Sequence, residues 1–589
     1  MADLLAIISP DRTRTVSVDD LTATYEALRG PAASADTATC GWAAVRVLDH
    51  PQPPLAGIER GERGWAAWAG ALVDPAVAAS GPLERLDGQF ALLRLEEDGE
   101  TLRLATDPLG MKPLFVVEAG GLTHVSTSAL VLAKHLGSAA SRRGAEAFLR
   151  TGIQFGRATP WEGVERLLPA EAIAFTPAGQ ARDVYWRPAV DPEVRELDLA
   201  AGAELVAERL AAAIASRYGG RQPWLDLTGG FDSRLVALLS QRAELGFHAN
   251  TIGDEGLEDV RVAAQVAAAA GWPWTRIGLP GDWTEVAPTR VEEALAWGDG
   301  NLEALHLTEV IQGHREKAAS EPMLLTGGGG EHYRDFAWMH ELWRAKRSTK
   351  VDFRRLLAWR AMGPLDVSAL RRDPTAAAEA QLLPELEQQA APFSSQPTTF
   401  QCDVLYAFKS SGHFGAYQSS AGRWVQMEMP LYLKPGLLGA ISTAPGERGF
   451  HRLMREMMRY LDPRIAAMQT ETGGPAEPLR LTNALRFTPY VSRRARRLAA
   501  RLRGRAGGPA GDPAAPDQRL RGRAAIIVSL RDQGRLDPAK MRSAALYEPE
   551  RLGTLLDLAA SEPGAVDWAL VGRIVTLELA LEAVGTGMD

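Results

Sequence analysis

The chain has 589 residues, more than one hydrophobic core organises, and its 46% apolar and 23% charged residues are those of an ordinary globular protein. A net charge of −8 argues against general affinity for nucleic acid or anionic membranes, and no apolar run reaches the length that spans a bilayer. The opening MADLLAIISPDRTRT has no basic segment before its short apolar run, and Cys40 and Cys402 lack metal-ligand spacing, so a cytoplasmic protein with buried free thiols is expected.

From Cys40 to about Phe175, short apolar runs alternate with turn residues. Strands are predicted at 65–73, 90–95, 102–106, 114–117 and 122–125, which together predict a mostly β, layered domain. Two strings stand out there, Leu86-Asp87-Gly88-Gln89-Phe90-Ala91 and Asp107-Pro108-Leu109-Gly110-Met111-Lys112-Pro113-Leu114-Phe115. Further on come Pro160-Trp161-Glu162-Gly163-Val164 and Tyr185-Trp186.

The texture changes at Leu225-Asp226-Leu227-Thr228-Gly229-Gly230-Phe231-Asp232-Ser233-Arg234. Trp224, Leu225 and Leu227 supply an apolar strand, and Leu235, Val236, Leu238 and Leu239 supply the buried stripe of a following helix. Between them, Gly229 and Gly230 are expected to take positive φ and let backbone N–H groups approach an anion at the helix N-terminus. Thr228 and Ser233 add hydroxyl donors, and Asp232 offers a hard carboxylate oxygen suited to Mg²⁺. With no lysine after the glycines and no third glycine, the string is neither a Walker loop nor a dinucleotide fingerprint. Taken alone it reads equally as an ordinary capped strand-to-helix turn. Arg234 is placed either to clamp pyrophosphate or to form a helix-surface salt bridge.

A second strand ends at Asn250-Thr251-Ile252-Gly253, followed by a helix over 262–270, and a third strand, Met323-Leu324-Leu325, runs into Thr326-Gly327-Gly328-Gly329-Gly330-Glu331. Four consecutive glycines carry a large conformational entropy cost, so close approach to a phosphate or adenylate is preferred here to a flexible linker. Glu331 then becomes a second carboxylate for the metal. The order strand, loop, helix, strand, helix is that of a parallel, doubly wound sheet with ligands at the carboxyl ends of its strands.

Beyond 400 the pattern is helical. Arg493, Arg494, Arg496, Arg497, Arg501, Arg503 and Arg505 form a basic run that attracts an acidic partner or forms a solvated helix face. Gly507 to Pro516 reads as a linker, giving a flexible loop near 504–518. The final 568–583 pattern is read as an amphipathic packing helix.

The Thr228 to Ser233 string resembles the S-G-G-x-D-S loop of the N-type ATP pyrophosphatases. The Leu86 and Asp107 strings and the Pro160 and Tyr185 passages resemble the amino-terminal glutaminase domain of asparagine synthetases. The resemblance implies an α/β chain of two domains. Residues 1–190 would form an N-terminal nucleophile-type, αββα-like layered domain. Residues 200–589 would form an adenine nucleotide α-hydrolase-like, doubly wound parallel sheet with helical extensions. It implies ATP binding by Leu225, Thr228, Gly229, Gly230, Asp232 and Ser233, with Thr251 and Gly253 beside adenine or ribose and Gly327, Gly328 and Gly329 facing the adenylate. Asp232, Ser233 and Glu331 would be catalytic, and Asp232 and Glu331 would hold Mg²⁺.

Three departures shape the expected chemistry. The glutamine-hydrolysing members carry a cysteine after the initiator methionine, where Ala2 stands here, so no glutamine hydrolysis is expected. The family's acid-base position aligns with Gly328, and its late lysine is absent from Ala467-Met468-Gln469-Thr470-Glu471-Thr472-Gly473-Gly474, which leaves the general base open among His332, Tyr333, Tyr417 and Glu428. The arginine of its E-A-R-V-P-F-L-D string is missing where Glu428-Met429-Pro430-Leu431-Tyr432 stands.

The reading is an AMP-forming carbon-nitrogen ligase that adenylates a carboxylate for attack by an amine, most like a lasso-peptide macrolactam cyclase of natural-product biosynthesis. Its expected partners are a precursor peptide or small carboxylate, together with a leader-binding protein and a leader peptidase. A β-lactam-synthetase-like or asparagine-synthetase-like small-molecule ligase, and a nucleotide-binding pseudoenzyme scaffold, stand as alternatives.

Overall fold

The computed structural model describes residues 2–50, 56–339, 348–502 and 518–588, with side chains at 56 and 496–502 excepted. The expected loop at 504–518 and most of the arginine run beyond Arg494 therefore lie outside the described residues or side chains.

Alternating apolar sequence builds two antiparallel sheets from the first third of the chain. The strands are β1 (Asp3–Ile8), β2 (Ser34–Thr39), β3 (Ala43–Asp49), β4 (Ala56–Arg60), β5 (Trp65–Leu72), β6 (Gly88–Leu95), β7 (Leu102–Thr106), β8 (Phe115–Ala119), β9 (Leu122–Ser126), β10 (Glu165–Arg166), β11 (Glu171–Thr176) and β12 (Gly179–Val184). One sheet runs in the order β10-β8-β9-β1-β3-β2 and the other β12-β11-β7-β6-β5-β4. Leu4, Ala6 and Ile8 of β1 meet Ala67, Ala69 and Leu93 of the second sheet in a shared core, as period-two alternation requires. Helices Asp19–Arg29, Ala129–Leu136 and Arg142–Thr151 cover the outer face of the first sheet, and Pro75–Ser80 covers part of the second. The result is a layered helix, sheet, sheet, helix unit.

The Asp107 string makes a turn that this layering depends on. Asp107 is fully buried, and its carboxylate accepts from the N–H groups of Leu109 (3.0 Å), Met111 (3.1 Å) and Lys112 (2.8 Å), while Gly110 takes φ +64°. The same loop touches the long helix Thr398–Ala421, where a Cβ on Gly415 would collide with the Met111 carbonyl. That glycine lets the two halves of the chain meet.

The third sheet consists of β13 (Trp224–Asp226), β14 (His248–Ile252), β15 (Trp274–Ile277), β16 (Met323–Leu325) and β17 (Gln426–Glu428), all parallel, in the order β15-β14-β13-β16-β17. Helices Leu199–Tyr218, Asp232–Arg242 and Glu258–Ala270 cover one face and the helices carrying Leu307, Ile311 and Val404 the other. Burial on both faces suits the continuously apolar Met323–Leu325 of β16, while the other four strands carry polar residues among their apolar ones. The chain order reverses between β13 and β16, and crevices in such sheets open at that point.

Two sequence expectations are corrected. The closing helix Trp568–Val584 is not amphipathic. Buried residues surround it, Glu578 included, whose carboxylate is satisfied by the N–H groups of Arg542 (2.7 Å) and Ser543 (3.0 Å). It packs on helices of the first unit, so the large core that begins at Leu5 ends at Leu581. Arg234 is neither a surface salt bridge nor an anion clamp. It is fully buried and donates to the carbonyls of Met468 (3.1 Å) and Gln469 (2.9 Å), pinning the late loop to the helix start. Among the described residues no helix is long and apolar enough to cross a membrane.

Candidate functional site at the sheet crossover

The loop after β13 closes on itself before any ligand is considered. Ser233, in the first turn of helix Asp232–Arg242, accepts from Thr228 N–H (2.9 Å) and pairs with Thr228 Oγ1 (2.9 Å), while Gly230 N–H donates to Thr228 Oγ1 (3.3 Å). Gly229 and Gly230 do not take the positive φ expected of them. Space explains them instead. A Cβ on Gly229 would press on Asp259, Val262 and Glu471, each at 3.1 Å.

The loop after β16 lies directly against this first turn. A Cβ on Gly327 would reach 2.6 Å from Ser233 N, one on Gly328 2.6 Å from Met429 Sδ, and one on Gly330 would overlap the Asp232 carboxylate. Gly329 alone of the four takes a left-handed conformation, φ +96°. The glycine run thus meets a packing demand, loop against helix, in addition to the approach to a nucleotide expected from the sequence.

This contact brings Asp232 and Glu331 together. Both reach Arg334, Asp232 Oδ2 at 3.5 Å and Glu331 Oε1 at 3.8 Å from its Nη2. Asp232 Oδ1 and Glu331 Oε2 are buried and have no hydrogen-bond partner. Burial pushes the Asp232 carboxyl up to about 6, with Arg334 opposing and Glu331 adding to the rise. Two orphaned hard oxygens at a crossover crevice suit a cation such as Mg²⁺, which takes one or two carboxylates and fills its remaining positions with water and phosphate. Among the described residues no group of three or more His, Cys, Asp or Glu side chains is arranged for a metal.

Two further carboxylates guard the cradle. Asp259, from the first turn of helix Glu258–Ala270, accepts Gly229 N–H at 2.6 Å, and Glu471 N–H donates to Gly229 carbonyl at 3.0 Å. The Glu471 carboxyl is pushed up to about 7 by burial and by its hydrogen bond and charge contact with Asp259. The N–H that the sequence reading reserved for a phosphate is therefore held by a side chain of the protein.

Other expected residues are engaged within the protein. Leu225 is fully buried inside the sheet, and Thr251 Oγ1 is spent on Leu227 carbonyl (2.7 Å) and the Trp274 indole (3.0 Å). Gly253, at φ +152°, sits at the end of β14 beside Leu257 and Val260. Of the candidate bases, Glu428 is sealed in a buried ion pair with Arg217 (2.9 Å), and Tyr333 donates to Leu431 carbonyl (3.2 Å). His332 is enclosed by Tyr406 and Tyr432, and burial pushes it down to about 3. Tyr417 lies edge-on to His306 and His413.

Sequence reasoning assigned no role to Arg334, Asp259, Glu471 or His451. Arg334 had a readable signal, three residues after Glu331 in a single turn of helix. His451 had none. It stacks on Phe231 at 4.4 Å, pairs with Arg334 at 3.0 Å, and holds φ +60° next to Phe450 at φ +57°, two strained residues at the rim of the crevice.

Comparison with known proteins reaches the first unit. Among solved structures, the glutamine phosphoribosylpyrophosphate amidotransferase from B. subtilis, complexed with ADP and GMP, is 12% identical over 46% of this chain and 65% of its own, with TM-score 0.21. An allosteric regulatory enzyme of purine biosynthesis is 10% identical over 43% of this chain and 66% of its own, with TM-score 0.20. The chain therefore spans just under two thirds of either structure. No curated protein matches it significantly. Residues 77–186 match the glutamine amidotransferase domain family, so the chain carries a domain of that type.

Proposed function

We propose that the crossover crevice binds ATP and that the protein is an AMP-forming ligase, joining a carboxylate to an amine without hydrolysing glutamine. The observation that carries the reading is the pair of buried, unsatisfied oxygens on Asp232 and Glu331, set between a helix N-terminus and two glycine-bearing loops. An isolated buried carboxylate oxygen is costly, and a resident cation is the usual reason such a pair is retained. Bound there, Mg²⁺ would neutralise charge on departing pyrophosphate.

The protein's own residues have definable parts. Thr228 and Ser233 fix the loop so that the Gly230 end of the cradle faces the crevice, and the first turn of helix Asp232–Arg242 directs its free N–H groups at an anion. Arg334, within ion-pair reach of both carboxylates, would offset their mutual repulsion. Attachment of AMP would turn the acid's hydroxyl oxygen into a leaving group, and an amine held close would then attack the acyl carbon.

The finer part of the proposal is macrolactam closure on a precursor peptide, supplied by a leader-binding protein and a leader peptidase. It extends the resemblance to lasso-peptide cyclases and to enzymes in which the amine belongs to the activated molecule itself. The layered unit would serve as a scaffold, with the buried methyl of Ala2 at the head of β1.

One observation favours a second reading. Asp259 occupying Gly229 N–H, with Glu471 beneath the loop, leaves a cradle that opposes productive phosphate placement until that pair moves, as a nucleotide-binding scaffold without turnover would. Exchange of labelled pyrophosphate into ATP, screened over peptides and small acids, separates the two. Acid-dependent exchange supports the ligase, and no exchange with any acid supports the scaffold.

A further inference from the structure

The helix Thr398–Ala421 carries a lysine close enough to the crevice to feel the charge of Glu331. Every other inward-facing lysine described ends on an oxygen: Lys112 on Asp3 (3.1 Å), Lys134 on Ala583 carbonyl (2.6 Å), Lys317 on Asp226 (2.5 Å) and Lys434 on Leu86 carbonyl. Lys409 does not. Among the described residues its ammonium makes no hydrogen bond or ion pair and only lies over the Tyr406 ring, 5.5 Å from the centroid. Burial pushes it down to about 8, while the charge of Glu331 holds its proton on and Arg360 opposes.

Its surroundings say what kind of ligand it faces. Lys409 lines two small adjoining voids, of about 10 and 20 Å³, that share Phe155, Leu386 and Leu405. The smaller void also shares Leu168, Pro169, Gln389 and Phe408 with an open cleft of about 390 Å³ beside the exposed edge strand β12, where Trp186, Phe393 and Arg187 face the same space. Arg157 and Arg182 line the cleft as well, so cationic and apolar walls stand together. An organic acid suits that mixture, with an apolar or aromatic body in the cleft and its carboxylate at the inner end.

We infer that Lys409 is the anion-pairing residue of a carboxylate subsite reached from the β12 cleft, receiving the acid that the crevice activates. The place of the subsite stands on this geometry, and the acid's fate rests on the ligase reading above. A half-buried ammonium that, among the described residues, has only a ring face gains from a carboxylate a charge-assisted hydrogen bond, the stronger class of such bonds. Ion pairing also raises the ammonium's affinity for its own proton.

The test uses the full chain with its lysines reductively methylated with ¹³C, a change that keeps their charge. The Lys409 signal is identified by its absence from Lys409→Arg. 3-Phenylpropionate at about 20 mM, ample for a fragment that binds near 1 mM, is expected to shift that signal saturably and move its titration to higher pH, while 3-phenylpropanol leaves it in place. A signal unmoved by the carboxylate, or moved equally by the alcohol, overturns the subsite. In pyrophosphate exchange, Lys409→Met is expected to raise KM for the supporting acid about 10- to 100-fold, the loss of one charged hydrogen bond, with KM for ATP unchanged and partial recovery in Lys409→Arg. An unchanged KM for the acid sinks the inference and leaves the ligase reading standing. A carboxylate-specific shift without exchange for any acid sinks the ligase reading and leaves the subsite standing.

Discussion

Replacing Asp232 by Asn in metal-free protein should make the fold more stable, and much more so at neutral than at acid pH. The carboxyl is buried, one of its oxygens has no partner, and burial raises it from 3.8 to about 6. A carboxyl raised on folding contributes stability below its unfolded value, about pH 4, and loses that contribution as pH rises through about 6. At 1.36 kcal/mol per unit, holding it ionised at pH 7.5 costs about 3 kcal/mol, against about 1 kcal/mol at pH 4.5, where the folded carboxyl is already mostly neutral. Asn keeps the shape without the charge. Urea unfolding followed by tryptophan fluorescence, in EDTA at both pH values, should show a large gain at pH 7.5 and a small one at pH 4.5. Mg²⁺ with ATP should stabilise the parent and not the variant, whose exchange activity should be lost. A destabilised variant at pH 7.5, or equal shifts at the two pH values, refutes the reasoning.

Three other substitutions probe the same neighbourhood. Gly330→Ala places a methyl on the Asp232 carboxylate and should cost about 1–3 kcal/mol by overpacking, together with most exchange activity, as unfolding and exchange assays would show. Arg234→Met leaves the carbonyls of Met468 and Gln469 without their buried donor and should cost about 2–4 kcal/mol in the same unfolding experiment. Glu471→Gln removes a carboxyl raised to about 7, whose stabilising contribution is lost as pH rises through that value. The variant should therefore melt higher than the parent at pH 8, with little difference at pH 5, and bind ATP more tightly at pH 8 by calorimetry.

The elements that were legible in the sequence are those whose apolar period matches their burial. Strands predicted at 102–106 and 323–325 coincide with β7 and β16, and those at 65–73, 90–95, 114–117 and 122–125 differ from β5, β6, β8 and β9 by a residue or two at their ends. β12 went unread because all six of its residues are exposed, so no alternation marks it, and β2 for nearly the same reason. At the site, short-range chemistry was readable. Thr228, Ser233 and Asp232 lie within one turn, and Glu331 follows its own glycine run. What was not readable depends on residues brought from far along the chain: Asp259 on Gly229, Glu471 beneath it, His451 on Phe231, and Lys409 from a helix whose polar residues are almost all inside. The packing demand on the glycines was hidden for the same reason, since their crowding neighbours Met429 and Tyr432 lie about a hundred residues away.

The helix Trp568–Val584, wrapped by core on every side, also sets the order of events during synthesis. Its partner helices Ala129–Leu136 and Arg142–Thr151 leave the ribosome hundreds of residues before it does. The outer sides of helices Ala129–Leu136 and Arg142–Thr151 must wait, exposed and prone to association, until the last turns of the polypeptide arrive, and contacts of such sequence separation form slowly. Attempts to express the first two hundred residues alone should yield aggregates unless that bare face is given a substitute cover.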